Sequence, residues 1–502
     1  VVVTESIEQT AGLRSRARVL PEVTRIVGKP AAPSPPAASP PTLSALGLFT
    51  VLLGASLPLI DFFIVNVALP TISADLHASA AVLELVVAGY GVAYAVLLVL
   101  GGRLGDMFGR RRLFLAGMAA FGLTSLACGL APSAWALVAA RVAQGAAAAL
   151  MMPQVLATIH SSTSGKRHAR AISLFGATAG LSMVAGQILG GVLVAADIAG
   201  TDWRAIFLVN VPVAVAGLVL TVRTVPETRS ANPAPVDGPG TVLLAVSLLT
   251  LLAPLTEGRA AGWPLWTWVS LTAFPLAAAA FYLVERRADR AGRTPLVPPS
   301  LFELPGMRRA LPMVLPFATG FGGFMFVVAV AMQEGLHYGP VKAGLALTPL
   351  AAAFFAASLA GPRLVSRYGS RVVTTGGVMQ GVGLVLLAFT VARDWSGLST
   401  LDLAPALALA GFGQGLQLPL LMRFVLTGVP AERAGVGSGV MVTTQQTSLA
   451  LGVATLGTLF LSLAPSHGMR DALVTVLLVQ VAGVVVTTLM SLRLRTMDPR
   501  LG

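Results

Sequence analysis

The chain has 502 residues, of which 55% are hydrophobic and only 11% charged, and its mean hydropathy is +0.81. A soluble domain carries about a quarter charged residues, so this composition excludes an ordinary soluble enzyme or binding module. The net charge of +13 does not indicate nucleic acid, because the basic residues sit in short loops between apolar runs and not on one polar face. Cys128, the single cysteine, lies inside an apolar run; it excludes a disulfide framework and a cysteine-based metal site.

In chain order, residues 1–42 contain Arg14, Arg16, Arg18, Arg25 and the run AAPSPPAASPP. They lack the apolar core of a signal peptide and predict a disordered, Pro- and Arg-rich cytoplasmic tail. A membrane span needs about 20 apolar residues. Fourteen candidates follow: 43–69, 82–101, 112–131, 133–159, 169–196, 203–223, 240–256, 265–285, 309–332, 342–364, 371–391, 400–426, 434–463 and 472–492. Polar breaks at 224–239 and 286–308 divide them into six, two and six. The expected fold is an all-α integral membrane protein with 14 transmembrane helices. Six-helix bundles occupy 43–223 and 309–492, a two-helix insert with its linkers lies at 224–308, and a cytoplasmic tail covers 493–502.

Charge tests that count. With the N-terminus inside, 28 Lys and Arg fall on the inner side, five on the outer side, and Arg141 within a span. Positive residues accumulate on the cytoplasmic side of short loops, so both termini are expected in the cytoplasm, with the protein in a bacterial cytoplasmic membrane.

The most informative loop joins the second and third candidates: Gly101-Gly102-Arg103-Leu104-Gly105-Asp106-Met107-Phe108-Gly109-Arg110-Arg111-Arg112. It resembles the loop motif of the major facilitator superfamily, with Gly102, Asp106, Gly109, Arg110 and Arg112 in register and Met107 in place of a basic residue. A worn copy, Gly361 to Arg371, has Ser366 where the aspartate would fall. The resemblance implies two pseudo-symmetric bundles that rock about a midplane site. Asp61 to Pro70 (DFFIVNVALP), Arg141-Val142-Ala143-Gln144-Gly145, Gly186-Gln187-Ile188-Leu189-Gly190-Gly191 and Trp203 to Pro212 (WRAIFLVNVP) resemble the fourteen-span drug:proton antiporter branch. Gln333-Glu334 through Pro349 and Gly435 through Gly452 fit the same branch. It implies a proton-driven exporter of amphipathic drugs, or of an endogenous metabolite in self-resistance, with uptake a rival direction.

Each motif has a physical reading. Asp61 lies nine residues before Pro70, roughly 13 Å below the helix end at 1.5 Å per residue. A charged aspartate at such depth costs about 2.5–3.5 kcal/mol, so protonation relieves it, and an acid whose proton comes and goes is what proton coupling needs. The alternative is a structural Asp61 bonded to backbone freed near Pro58. Arg141, always charged, pairs with Asp61, meets an anionic substrate group or packs against carbonyls; Gln144 shares its helix face. With Arg141 and Gln144, the residues Phe62, Phe63, Asn66, Gln187, Met441, Gln445 and Gln446 are candidate cavity residues, Met441 as a soft contact. Gly186, Gly190 and Gly191 permit close helix approach, and the resemblance makes them a hinge that seals the outward route. Asp106 either caps a helix or pairs with an arginine across the halves; the resemblance favours a conformational latch of Gly102, Gly105, Asp106, Gly109, Arg110 and Arg112.

No Gly-x-x-x-x-Gly-Lys-Ser/Thr loop, His-Glu-x-x-His or Gly-x-Ser-x-Gly is present, which argues against ATP as energy source and against a hydrolase. No cofactor or metal is expected. The expected partners are protons, a small amphipathic substrate and the lipid bilayer, with no nucleic acid. Accessibility tags test the topology: residues 165 and 292 should be reached from the cytoplasm and residue 201 from outside. Residue 292 found outside would overturn the fourteen-span reading.

Overall fold

The computed structural model describes residues 42–229, 237–258, 261–430 and 433–496. The expected tail at 1–41 and the end of the C-terminal tail lie outside the described residues, as do the side chains of Asn66 and Gln187. The described residues form α-helices with short 3-10 and π turns and no strand. In order they are α1 (Ala45–Leu76), α2 (Ala80–Phe108), α3 (Arg110–Gly129), α4 (Ala134–Ser162), α5 (Gly165–Ala196), α6 (Ala205–Leu208), α7 (Asn210–Thr224), α8 (Gly238–Glu257), α9 (Leu265–Arg290), α10 (Pro305–Val330), α11 (Pro340–Ala346), α12 (Thr348–Tyr368), α13 (Arg371–Asp394), α14 (Thr400–Leu426), α15 (Ala434–Gly452) and α16 (Thr458–Ser491).

Helix starts carry their own signals. Ser44, Ser79 and Ser133 each precede a long helix, and their hydroxyls accept from the backbone N–H of Gly47, Val82 and Ala136. Ser399 and Asp402 form a reciprocal capping box before α14. Such side chains satisfy N–H groups that have no partner inside the helix. The turns after α2 and α12 need positive φ, supplied by Gly109 (105°) and Gly369 (62°).

Twelve stretches of the described residues are long and apolar enough to cross a membrane. One of them, Ala434–Leu494, runs for 61 residues, about 90 Å if continuous, three times a hydrocarbon core of about 30 Å. It is interrupted at Gly468, whose φ of 81° and ψ of 158° are not helical. The 32-residue α5, with Lys166, Arg167 and Arg170 in its first turns, is not among the twelve.

One packing pattern occurs twice. α2 and α3 both pack on α4, α1 packs on α5 and α7, and α3 on α7. Likewise α12 and α13 pack on α14, α10 on α15 and α16, and α13 on α16. α8 and α9 pair with each other, and α8 leans on α2 and α15. Glycine sets the closest crossings in matched places. A Cβ on Gly145 would lie 2.2 Å from the Tyr90 carbonyl oxygen, and one on Gly415 2.2 Å from that of Phe354. Small residues let backbones meet where lipid supplies no hydrophobic drive.

Gly145→Ala should therefore force α4 away from α2 and destabilise the protein by about 1–3 kcal/mol. Gly483→Ala, in a helix with nothing within 4 Å of the added carbon, should be neutral. Thermal unfolding in detergent compares them, and equal melting of the two variants would contradict the assignment of that crossing.

Candidate functional site

Asp61 is carried by α1 three residues after Pro58, whose carbonyl accepts from the Tyr90 hydroxyl at 3.0 Å. Its carboxylate is fully buried. Oδ2 forms an ion pair with Arg141 Nη1 of α4. Oδ1 accepts from Gln144 Nε2 at 3.0 Å and from Asn210 Nδ2 at 2.7 Å. Gln144 Oε1 accepts from Arg141 at 2.7 Å, and its Nε2 also donates to Ser125 Oγ at 2.8 Å. Arg141 Nε donates to the Val86 carbonyl at 3.1 Å, and the guanidinium lies 4.2 Å from the Tyr90 ring centre. Residues of α1, α2, α3, α4 and α7 thus close around one carboxylate.

The chemistry of this arrangement is competition. A deprotonated Asp61 uses every donor aimed at it; a proton on Asp61 would displace Arg141 from the carboxylate and leave a buried cation with Gln144 and the Tyr90 ring. Arg141 Nη2 is already buried without a hydrogen-bond partner. Both side chains of the ion pair have zero exposure, so neither meets water in this conformation.

From the pair an aromatic series runs outward. Tyr90 and Tyr94 have ring centres 6.0 Å apart, Tyr90 and Phe62 6.0 Å, and Phe62 and Phe63 5.1 Å. Phe62, Phe63, Gln445 and Gln446 are half-buried, whereas Met441 is buried in the core. The structure therefore joins Asp61, Arg141 and Gln144 in one network and places Phe62 and Phe63 beside it. Met441, Gln445 and Gln446 lie on α15, and Met441 shares one apolar core with Tyr90 and Tyr94.

The glycines of α5 face two ways. A Cβ on Gly186 would meet the Ile60 carbonyl at 2.7 Å, on α1. Carbons on Gly176, Gly180 and Gly191 would meet Pro419, Phe354 and Val341, at 2.6, 2.6 and 2.8 Å. Gly190 is buried. α5 thus slides between α1 and helices α11, α12 and α14.

In the loop motif, a Cβ on Gly102 would lie 2.3 Å from the Gly435 carbonyl oxygen, so α2 and α15 touch through backbone. Gly105 leaves room for the Gln154 amide, which donates to the Gly101 carbonyl at 2.8 Å. Asp106 pairs with Arg110 at 2.8 Å within its own loop, not with an arginine across the halves. Its Oδ2 lies against Gly435, in the first turn of α15, where a helix N-terminus attracts negative charge. Arg111 and Arg112 stand 3.9 and 3.8 Å from Glu227, and the Arg110 N–H donates to the Thr228 carbonyl. At the other end of α1, Trp203 Nε1 and Arg204 donate to Asp75 Oδ2 at 3.0 and 2.7 Å. These bonds hold the Asp75 carboxyl below the usual carboxylate range.

Sequence reasoning missed Ser125, Asn210 and Glu227 as working residues. Asn210 had a signal, an amide in the middle of an apolar span; Ser125 and Glu227 had none.

Residues 51–453 match the Major Facilitator Superfamily. The chain belongs to that superfamily. It is 38% identical over 441 residues, 87% of this chain and 76% of the other, to a probable actinorhodin transporter of Streptomyces coelicolor. It is 34% identical over 425 residues (83% and 76%) to a tetracenomycin C resistance and export protein of Streptomyces glaucescens. A third relative is the multidrug resistance protein Stp of Mycobacterium tuberculosis, 34% identical over 417 residues (82% and 74%). The fold also matches the human organic anion transporter MFSD10, with a TM-score of 0.63 at 15% identity, covering 88% of this chain and 98% of the other. The protein is a multi-pass membrane transporter of the superfamily.

Asp106→Asn keeps size and hydrogen bonding but removes charge. If that charge holds α2 against α15, transport should fall while abundance in the membrane stays near wild type. Abundance falling in parallel with transport would assign Asp106 to folding.

Proposed function

We propose that the protein is a proton-driven exporter of small amphipathic molecules in a bacterial cytoplasmic membrane, of the fourteen-span drug:proton antiporter branch. Several relatives are named for export, resistance or multidrug efflux, which supports the outward direction over uptake. The observation that carries the coupling is the fully buried Asp61, held by Arg141, Gln144 and Asn210. Fourteen spans follow if α5 crosses and if the 61-residue stretch crosses twice about Gly468. The order is then six, two and six, with both termini and the loop motif cytoplasmic.

In this reading Asp61 takes a proton from outside and surrenders it inward when substrate binds, so proton and substrate compete. Phe62, Phe63, Gln445 and Gln446, with Asn66, Gln187 and Met441, would line the cavity. The loop from Gly102 to Arg112 and the glycines of α5 would hold alternate states. One proton entering at ~100 mV releases about 2.3 kcal/mol, which sustains a roughly fifty-fold substrate gradient. A second reading within the same mechanism is self-resistance to an endogenous metabolite, favoured by the actinorhodin and tetracenomycin C relatives.

A growth-inhibition panel in an efflux-deficient host identifies a transported drug. Everted vesicles loaded with that drug by an imposed pH difference then test Asp61→Asn. The variant should lose uphill accumulation and retain downhill exchange. Accumulation at the wild-type level would remove Asp61 from the coupling step.

A further inference from the structure

Where the insert meets α2, two carboxyl groups that the export mechanism does not use come together, Glu285 buried and Asp237 half-buried. Glu285 of α9 is 1% exposed. Its Oε2 accepts from the Val297 N–H at 2.7 Å, and its Oε1 has no donor. Asp237 caps α8: Oδ1 accepts from the Gly240 N–H at 3.0 Å, and Oδ2 has no donor. The two unsatisfied oxygens face one another over Gly240, where a Cβ would lie 2.1 Å from Glu285 Oε1 and 2.6 Å from Asp237 Oδ2. No donor reaches either oxygen. Ionised carboxylates only accept, so a bond between these two requires one shared proton.

The surroundings do not supply a substitute for that proton. Arg103 of α2 faces Asp237 and Glu285, together with Asp106 and Arg433. Its Nη2 is committed to the Pro295 carbonyl, and Arg433 bonds to Ser300 at 3.3 Å. α15 contributes no titratable side chain. Glu303, in the turn beside α9, and Arg286 and Arg287 of α9 itself are exposed. Among these described residues, Arg103 is the cation that acts on both carboxyl groups, and like charges sharing a site do not readily both ionise.

The same atoms form a mechanical link. Arg103 holds residue 295 and Glu285 holds residue 297, so the segment that leads into α10 is tied to α2 and α9 through this one cluster. Residues 295–298 are buried although 291–294 before them are exposed.

We propose that Asp237 and Glu285 form a second proton-binding site, whose shared proton straps the insert and the 295–297 segment to α2 and whose loss to the cytoplasm releases that strap. The cytoplasmic side rests on the orientation given under Proposed function. Raising the pH on that side leaves two carboxylates in contact, and their repulsion opens the link between the bundles.

The test is cysteine accessibility in inside-out vesicles, with a membrane-impermeant maleimide. Val297→Cys reports the buried strap, and Thr294→Cys, exposed in the same segment, corrects for thiol reactivity at each pH; Cys128 is buried, and the parent chain sets its background. The corrected labelling rate at position 297 should rise with pH, by up to about tenfold per pH unit, as linkage to one proton requires. Glu285→Gln keeps the acceptor for Val297 and donates permanently to Asp237, so it should flatten this dependence at the slow rate. Asp237→Asn should do the same from the other side, which covers the failure of either variant to fold. A flat rate in the parent, or an undiminished slope in both variants, overturns the proposal. Labelling that occurs only from the opposite face overturns it through the orientation. The assay uses neither drug nor gradient, so a negative result leaves the export reading standing.

Discussion

A charged aspartate and a charged arginine buried in an apolar interior constrain everything near them. Each alone costs about 2.5–3.5 kcal/mol at a bilayer centre; together, Asp61 and Arg141 offset that cost only if every lone pair and N–H nearby is also used. This is why α1, α3, α4 and α7 each send a polar group inward at one depth, from Asp61, Ser125, Gln144 and Asn210. Removing one partner of such a pair costs about 3–5 kcal/mol, because the other charge is left behind. Adding a proton to Asp61 is chemically the same event, and it is reversible. The ion pair is thus at once a buried tie within the first helix group and a tie that a proton can undo.

That tie is useful only if the rest of the structure can respond. The contacts between the two helix groups run through glycines: the Gly102 and Gly435 backbones meet, and Gly180 and Gly191 give room to the Phe354 and Val341 side chains. The polar contacts between the groups are few and short-reaching, such as Ser438 to the Pro153 carbonyl at 3.3 Å and His160 to the Val429 carbonyl at 3.3 Å. The start of α3 is itself clamped by Glu227 and Thr228, in the segment that follows α7.

The sequence showed some of this and hid the rest for identifiable reasons. Asp61 and Arg141 stood out because charge within an apolar run is costly, and the spacing of Gln144 put it on the same face. The glycine positions were legible as places of close approach, but not which neighbour each would meet. Asp106 illustrates the limit: its partner Arg110 is only four residues away, across the turn at Gly109, while its contact with the first turn of α15 depends on how two distant segments dock. Ser125 carries no signal in a span rich in small residues. Glu285 looked like the end of a span and is instead buried, since its partners Asp237 and Val297 come from the two polar breaks that divide the chain.

The central claim is that substrate and proton exclude one another at Asp61. The direct measurement is proton release in weakly buffered detergent solution when a transported drug is added to the purified protein. The wild type should acidify the solution in proportion to bound drug at a pH where Asp61 is protonated before binding, and Asp61→Asn should bind without acidification. Equal release from both proteins would contradict the account.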